Sequence, residues 1–172
     1  MGMQEQMVRY FSAEKSESWL FILAGLVAIA VSVWLLRTGS SYRSMAYPLI
    51  AVALIQLVVG GAVAFRTDSQ VAALTAQLAS APMAFQSAEV PRMEVVMRNF
   101  QLYKAIEVAL LLTGVALTVF FRRKELVYGI GVGLVIQASL MLVLDLFAEK
   151  RGDEYLAAVR MLPTAEAGLE RR

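Results

Sequence analysis

The stretch LYKAIEVALLLTGVALTVFFRRKELVYGIGVGLVIQASLMLVLDLF, residues 102–147, decides the fold class. Leu102 to Phe121 is one apolar block, Arg122, Arg123 and Lys124 interrupt it, and Leu126 to Phe147 is a second block. Each is close to the ~20 residues an α-helix needs to cross ~30 Å of hydrocarbon. Blocks this long and evenly apolar lack the alternation of a membrane barrel. Residues 122–125 leave room only for a tight turn, so the two helices form a hairpin.

The first half of the chain repeats the plan. Residues 19–36 form an apolar block closed by Arg37, with Trp19 and Trp34 placed as interfacial anchors. Residues 45–65 form the next, closed by Arg66, with Pro48 in the first turn, where a missing N–H costs little. The short loop 38–44 joins them. The predicted fold is therefore an all-α integral membrane protein, a four-transmembrane-helix bundle in one membrane domain spanning 1–172. Composition agrees: 59% of the 172 residues are hydrophobic and 17% charged, against about half and about a quarter in soluble domains.

The middle connection is long. Thr67 and Gln70 have the spacing of a capping box, and Val71, Leu74 and Leu78 share a helical face. That pattern predicts a short amphipathic helix, broken at Pro82. From Pro91 to Phe121 the pattern is helical throughout, roughly 45 Å at 1.5 Å per residue, so the third helix projects beyond a bilayer. A second amphipathic stretch, Asp153 to Leu162, follows the fourth span, and residues 163–172 read as a flexible tail.

Scarce residues recur in order. Glu5, Arg9, Phe11, Lys15 and Gly25 return as Glu94, Arg98, Phe100, Lys104 and Gly114 at an offset of 89, and Tyr47, Ile55 and Gln56 as Tyr128, Ile136 and Gln137 at an offset of 81. This predicts two directly repeated hairpins, about 1–80 and 92–162, parallel about an axis along the membrane normal. The termini and middle connection then share face A, and the short loops share face B.

Polar residues inside a span are costly and mark function by default. Gln56, Glu107, Gln137 and Asp145 qualify, with Lys104 one turn from Glu107. Two readings stand for them. In one, Gln56 and Gln137 floor a polar cavity open to face A, lined by Glu107. In the other, the glutamines bond each other at matched depth, Glu107 pairs with Lys104 or Tyr103, and Asp145 is a solvated helix end. Gly25, Gly60, Gly114, Gly129 and Gly133 are the predicted packing positions, because small residues let helices approach closely.

Function classes narrow by what is missing. The chain has no Cys and no His, which removes thiol chemistry, the commonest metal ligand and the usual acid–base group at neutral pH. The nine scattered Met read as packing, not as a metal site. A net charge of +2 without a basic patch argues against nucleic acid. No catalytic residue, metal or cofactor is expected. In size and four-helix layout the chain resembles the small immunity proteins that protect bacteria from pore-forming toxins; no motif is carried over. The expected function is non-enzymatic binding of a membrane-embedded or membrane-inserting protein partner, of immunity or accessory-subunit type. The alternative is an oligomeric ion channel or small transporter using Glu107 and the Gln56/Gln137 pair. The bilayer is the expected environment, in the plasma (inner) membrane, with a homo-oligomer open. Five basic residues packed into loops 38–44 and 122–125 and their flanks place those loops in the cytoplasm.

Overall fold

The computed structural model describes residues 2–39 and 41–162, so the 163–172 tail and Ser40 lie outside the described residues. Four helices carry almost all of it: α1 (Met3–Thr38), α2 (Ala46–Ser80), α3 (Pro82–Phe120) and α4 (Glu125–Arg160), with a 3-10 turn at Arg43–Met45 before α2. All four are long and apolar enough to cross a membrane. At 35 to 39 residues each, they are roughly 52–58 Å long, almost twice the hydrocarbon thickness of a bilayer.

That length corrects several sequence expectations. No separate amphipathic helices exist among the described residues: Val71–Leu78 is the last part of α2, and Asp153–Arg160 the end of α4. Thr67 is not a cap. Its hydroxyl donates to the Val63 carbonyl one turn back, 2.7 Å, inside a continuous helix. Pro91 does not begin α3, which starts at Pro82 and runs through Pro91. The break at Pro82 is present, with Ala81 outside the helical region (φ −149°, ψ 71°), since a following proline disfavours helical backbone at the residue before it. Likewise α1 begins at Met3, far upstream of Trp19.

α1 packs along α2, and α3 along α4. α4 also touches both helices of the first hairpin, whereas the α1 and α3 backbones make no close approach among the described residues. The cross-section is thus a rhombus with α2 and α4 on its short diagonal. Close approach is set by glycines. A Cβ on Gly114 would lie 2.9 Å from the Gly131 carbonyl oxygen, and one on Gly131 2.9 Å from that of Gly114. Gly25 faces the Ala53 carbonyl, Gly60 that of Ser18, and Gly133 faces Pro48 and the Met45 carbonyl. Gly129 abuts the Ser44 hydroxyl, which donates to the Glu125 carbonyl at 3.2 Å and ties the two short loops together.

The bundle has two unlike halves. Toward the short loops its outer surface is apolar, with Leu23, Leu26, Val58, Leu112 and Val143 exposed. The other half, here the head, has a filled apolar core of Met7, Tyr10, Phe11, Phe85, Met93, Met97, Tyr155, Leu156 and Val159. Val71, Leu74 and Leu78 pack against it, so the amphipathic faces read from the sequence close the protein's own core. Full burial of each Phe contributes about 1.5–3 kcal/mol. Gln86 Nε2 donates to the Val159 carbonyl (3.0 Å) and the Arg160 carbonyl (3.1 Å), satisfying oxygens that the end of α4 leaves free.

Candidate functional site

The head is bound together by polar groups set around its core. Glu89 is 1% exposed. Its carboxylate accepts from Arg92 Nε at 2.7 Å and Nη2 at 2.6 Å, and from the Tyr155 hydroxyl at 2.9 Å. Arg92 lies 5.7 Å from the Phe11 ring centroid, and Tyr155 stacks on Tyr10 at 4.6 Å. Burial, helped by nearby carboxylates, pushes the Tyr10 and Tyr155 hydroxyls up beyond the ordinary tyrosine range. Beside the tyrosines a shallow groove of about 520 Å³ runs between α1 and α4, lined by Arg9, Ala13, Glu154, Ala158 and Met161.

At the junction of the head and the apolar half, ion pairs cross between helices. Lys15 of α1 meets Asp68 of α2 at 2.6 Å, and Lys104 of α3 meets Glu149 of α4 at 2.5 Å. The two lysines are 89 residues apart and the two acids 81, the same offsets as the sequence recurrences. Lys104 is therefore engaged with α4 and not with Glu107, because a long side chain at this level reaches the facing helix. Arg66 lies 3.8 Å from Glu14, and Arg151 pairs with Glu17. Burial pushes the Glu14 and Glu17 carboxyls up, against the pull of Arg66 and Arg151.

Glu107 lies below these pairs, 3% exposed, and neither of its oxygens meets a hydrogen-bond donor. Tyr103 points outward. The neighbour of Glu107 is Asp145 on α4, whose carboxyl is within hydrogen-bonding reach. Asp145 is half-buried and no helix end, since α4 continues to Arg160.

Gln56 and Gln137 are both buried, but they do not bond each other. Gln137 Nε2 donates to the Leu49 carbonyl of α2 at 3.4 Å, and both polar atoms of Gln56 lack a partner. Each glutamine side chain therefore stands without the other as a hydrogen-bond partner. The structure thus brings Glu107 and Asp145 together, sends Lys104 to Glu149, and leaves the two glutamines without a hydrogen bond to each other.

Glu17, Glu89, Arg92, Glu149, Arg151 and the tyrosine pair were not among the residues singled out from sequence. A signal exists for three of them: Glu89 and Arg92 stand at i, i+3 around Pro91, and Glu149 lies 81 residues after Asp68. No protein-family model, curated protein or solved structure matches the chain. The roles of its residues therefore rest on their geometry.

Proposed function

We propose that this is a non-enzymatic, multi-pass protein of the plasma (inner) membrane that binds a membrane-embedded or membrane-inserting protein partner through its head. Insertion of the apolar half is supported by its exposed aromatic residues, which fall at two levels. Trp19, Phe65 and Phe147 ring the junction with the head, and Trp34, Tyr47 and Phe120 the opposite end. Trp19 to Trp34 is fifteen residues and Tyr47 to Phe65 eighteen, roughly 22–27 Å along a helix, the height of an aromatic-bounded hydrocarbon layer.

The observation that carries the binding reading is the head itself. Close to half of each helix stands outside that layer, is filled by its own core, and leaves the α1–α4 groove open beside Tyr10 and Tyr155. A groove with an alanine floor and charged walls suits an amphipathic helix. Orientation is supported by charge. Arg37, Arg43, Arg122, Arg123 and Lys124 at the short-loop end are all exposed, and none joins an ion pair among the described residues. At the head, Lys15, Arg66, Arg92, Lys104, Arg151 and Arg160 are paired, while Arg9, Arg98 and Lys150 are exposed and join no ion pair among the described residues. The density of basic residues in these short loops supports an orientation with the loops in the cytoplasm and the head outside. The Lys15–Asp68 and Lys104–Glu149 bridges, at the offsets of the sequence recurrences, support a duplicated hairpin.

The second reading, an ion path, is favoured by one observation, the Glu107–Asp145 contact. Flux measurements separate the two. Vesicles holding wild type should conduct protons and monovalent cations no faster than empty vesicles. Clear flux that Glu107→Gln removes would replace the binding reading with the transport reading.

A further inference from the structure

The charged side chains at the junction do not balance. Glu17 of α1 engages Arg151 of α4, and Glu149 of α4 engages Lys104 of α3. Lys104 and Arg151 are thereby committed, and Lys150, between Glu149 and Arg151, is exposed on the outer face of α4. α2 supplies no free cation, because Arg66 and Asp68 pair with Glu14 and Lys15 in the first hairpin. Glu107 and Asp145 are left facing each other without a cation of their own. Glu107 is almost wholly buried, and both its oxygens lack a donor. Two bare carboxylates in contact repel, and desolvation penalises each of them further. Yet α3 and α4 close to backbone contact at Gly114 and Gly131. A positive charge is required between the carboxyls, and no side chain among the described residues provides it.

We propose that Glu107 and Asp145 form a proton-binding site, in which one proton taken from water on the head side is held by one carboxyl and donated to the other. A single proton converts the repulsive pair into a carboxyl–carboxylate hydrogen bond and satisfies the buried oxygens. A metal ion fits less well. Among the described residues no group of three or more acidic, His or Cys side chains converges, whereas hard cations are held by six or more oxygens.

The first hairpin shows that the fold does not need this pair. At the offsets of 89 and 81, Glu107 corresponds to Ser18 and Asp145 to Ala64. Both are buried, and the Ser18 hydroxyl bonds only back to the Glu14 carbonyl, 2.7 Å. The proton site is therefore an addition to the second hairpin. α4 runs unbroken from Asp145 to Tyr155, which bonds Glu89. Proton release would push α3 from α4 directly beneath that contact, so occupancy of the site is transmitted to the head. The inference does not depend on what the head binds.

The test is infrared spectroscopy and thermal unfolding of the full chain in lipid nanodiscs across a pH series. Wild type should show, at neutral pH, the carbonyl band of a protonated carboxyl that shifts in D2O and fades as pH rises. Its melting temperature should fall over the same range. A site protonated in the folded chain and ionised in the unfolded chain loses stability as pH rises through its folded titration. Glu14 and Glu17, pushed up by burial, add a slope of the same sign, so the readout is the difference between wild type and variant. Glu107→Gln should abolish the band and that part of the slope. The double variant Glu107→Ser with Asp145→Ala, which installs the first hairpin's pair, should do the same and serves if Glu107→Gln does not fold. A folded wild type without the band at neutral pH would overturn the proposal, as would a band that survives in both variants. If sodium or calcium at fixed pH raises the melting temperature of wild type alone, without a band, the site holds a metal ion and the proton assignment fails.

Discussion

Replacing Glu89 with alanine should be among the most damaging single changes in the head, and its cost can be worked out from three contacts. The substitution removes two hydrogen bonds from Arg92 and leaves the Tyr155 hydroxyl without an acceptor. The Arg92 side chain is 31% exposed and can turn to water, so its share is discounted to about 1 kcal/mol. Tyr155 is 2% exposed, and an orphaned buried hydroxyl costs about 1–3 kcal/mol. Loss of the buried methylene adds about 1 kcal/mol. The sum is about 3–5 kcal/mol, whereas Glu89→Gln, which keeps an acceptor and the volume, should cost about half as much. The decisive comparison is Tyr155→Phe in the two backgrounds, read by hydrogen exchange of the head amides. In wild type it should destabilise by about 1 kcal/mol. In Glu89→Ala it should stabilise, because it deletes the orphaned hydroxyl. A destabilisation of the same size in both backgrounds would show that the hydroxyl–carboxylate bond carries no energy and refute the reasoning.

Two further outcomes follow from the packing and the charge. Gly114→Ala or Gly131→Ala should destabilise the second hairpin by about 1–3 kcal/mol through backbone overpacking, while Gly61→Ala, with nothing within 4 Å of its Cβ, should be neutral or stabilise by up to about 1 kcal/mol; unfolding in denaturant gives both. Cysteines at Ser41 and Ser80, both exposed and at opposite ends of the bundle, should label from opposite sides of the membrane, Ser80→Cys from outside, in a thiol-accessibility assay.

The apolar runs were legible because run length is a one-dimensional property that a helix preserves. The extent of the helices was not. Thr67 and Gln70 have capping spacing, but a threonine hydroxyl serves equally well by donating to the carbonyl one turn back, as Thr67 does to Val63. Pro91 carries a local helix-breaking signal, yet the Glu89–Arg92 pair brackets it and Met93 enters the core, so tertiary contacts outweigh the missing N–H. The site was half legible. Glu107 stands out as an acid in an apolar run, but its neighbour in the fold is not one of its near neighbours in sequence. Lys104 goes instead to Glu149, 45 residues away, and Asp145 was masked by its nearness to a presumed helix end. Pairing across helices depends on relative rotation, which periodicity in one helix does not contain.

The unbroken rods restrict how the chain can change in length. Inserting one residue into α4 between Asp145 and Tyr155 would turn everything beyond it by about 100° and shift it by about 1.5 Å. Tyr155 would then leave both Tyr10 and Glu89, although neither half had been altered internally. An insertion of seven residues comes back to within about 20° of the original phase, but it also lifts the head end by about 10 Å, past its three neighbours. Length variation should thus be confined to the turn at 39–42 and to the ends, or else occur in all four helices together by whole numbers of heptads.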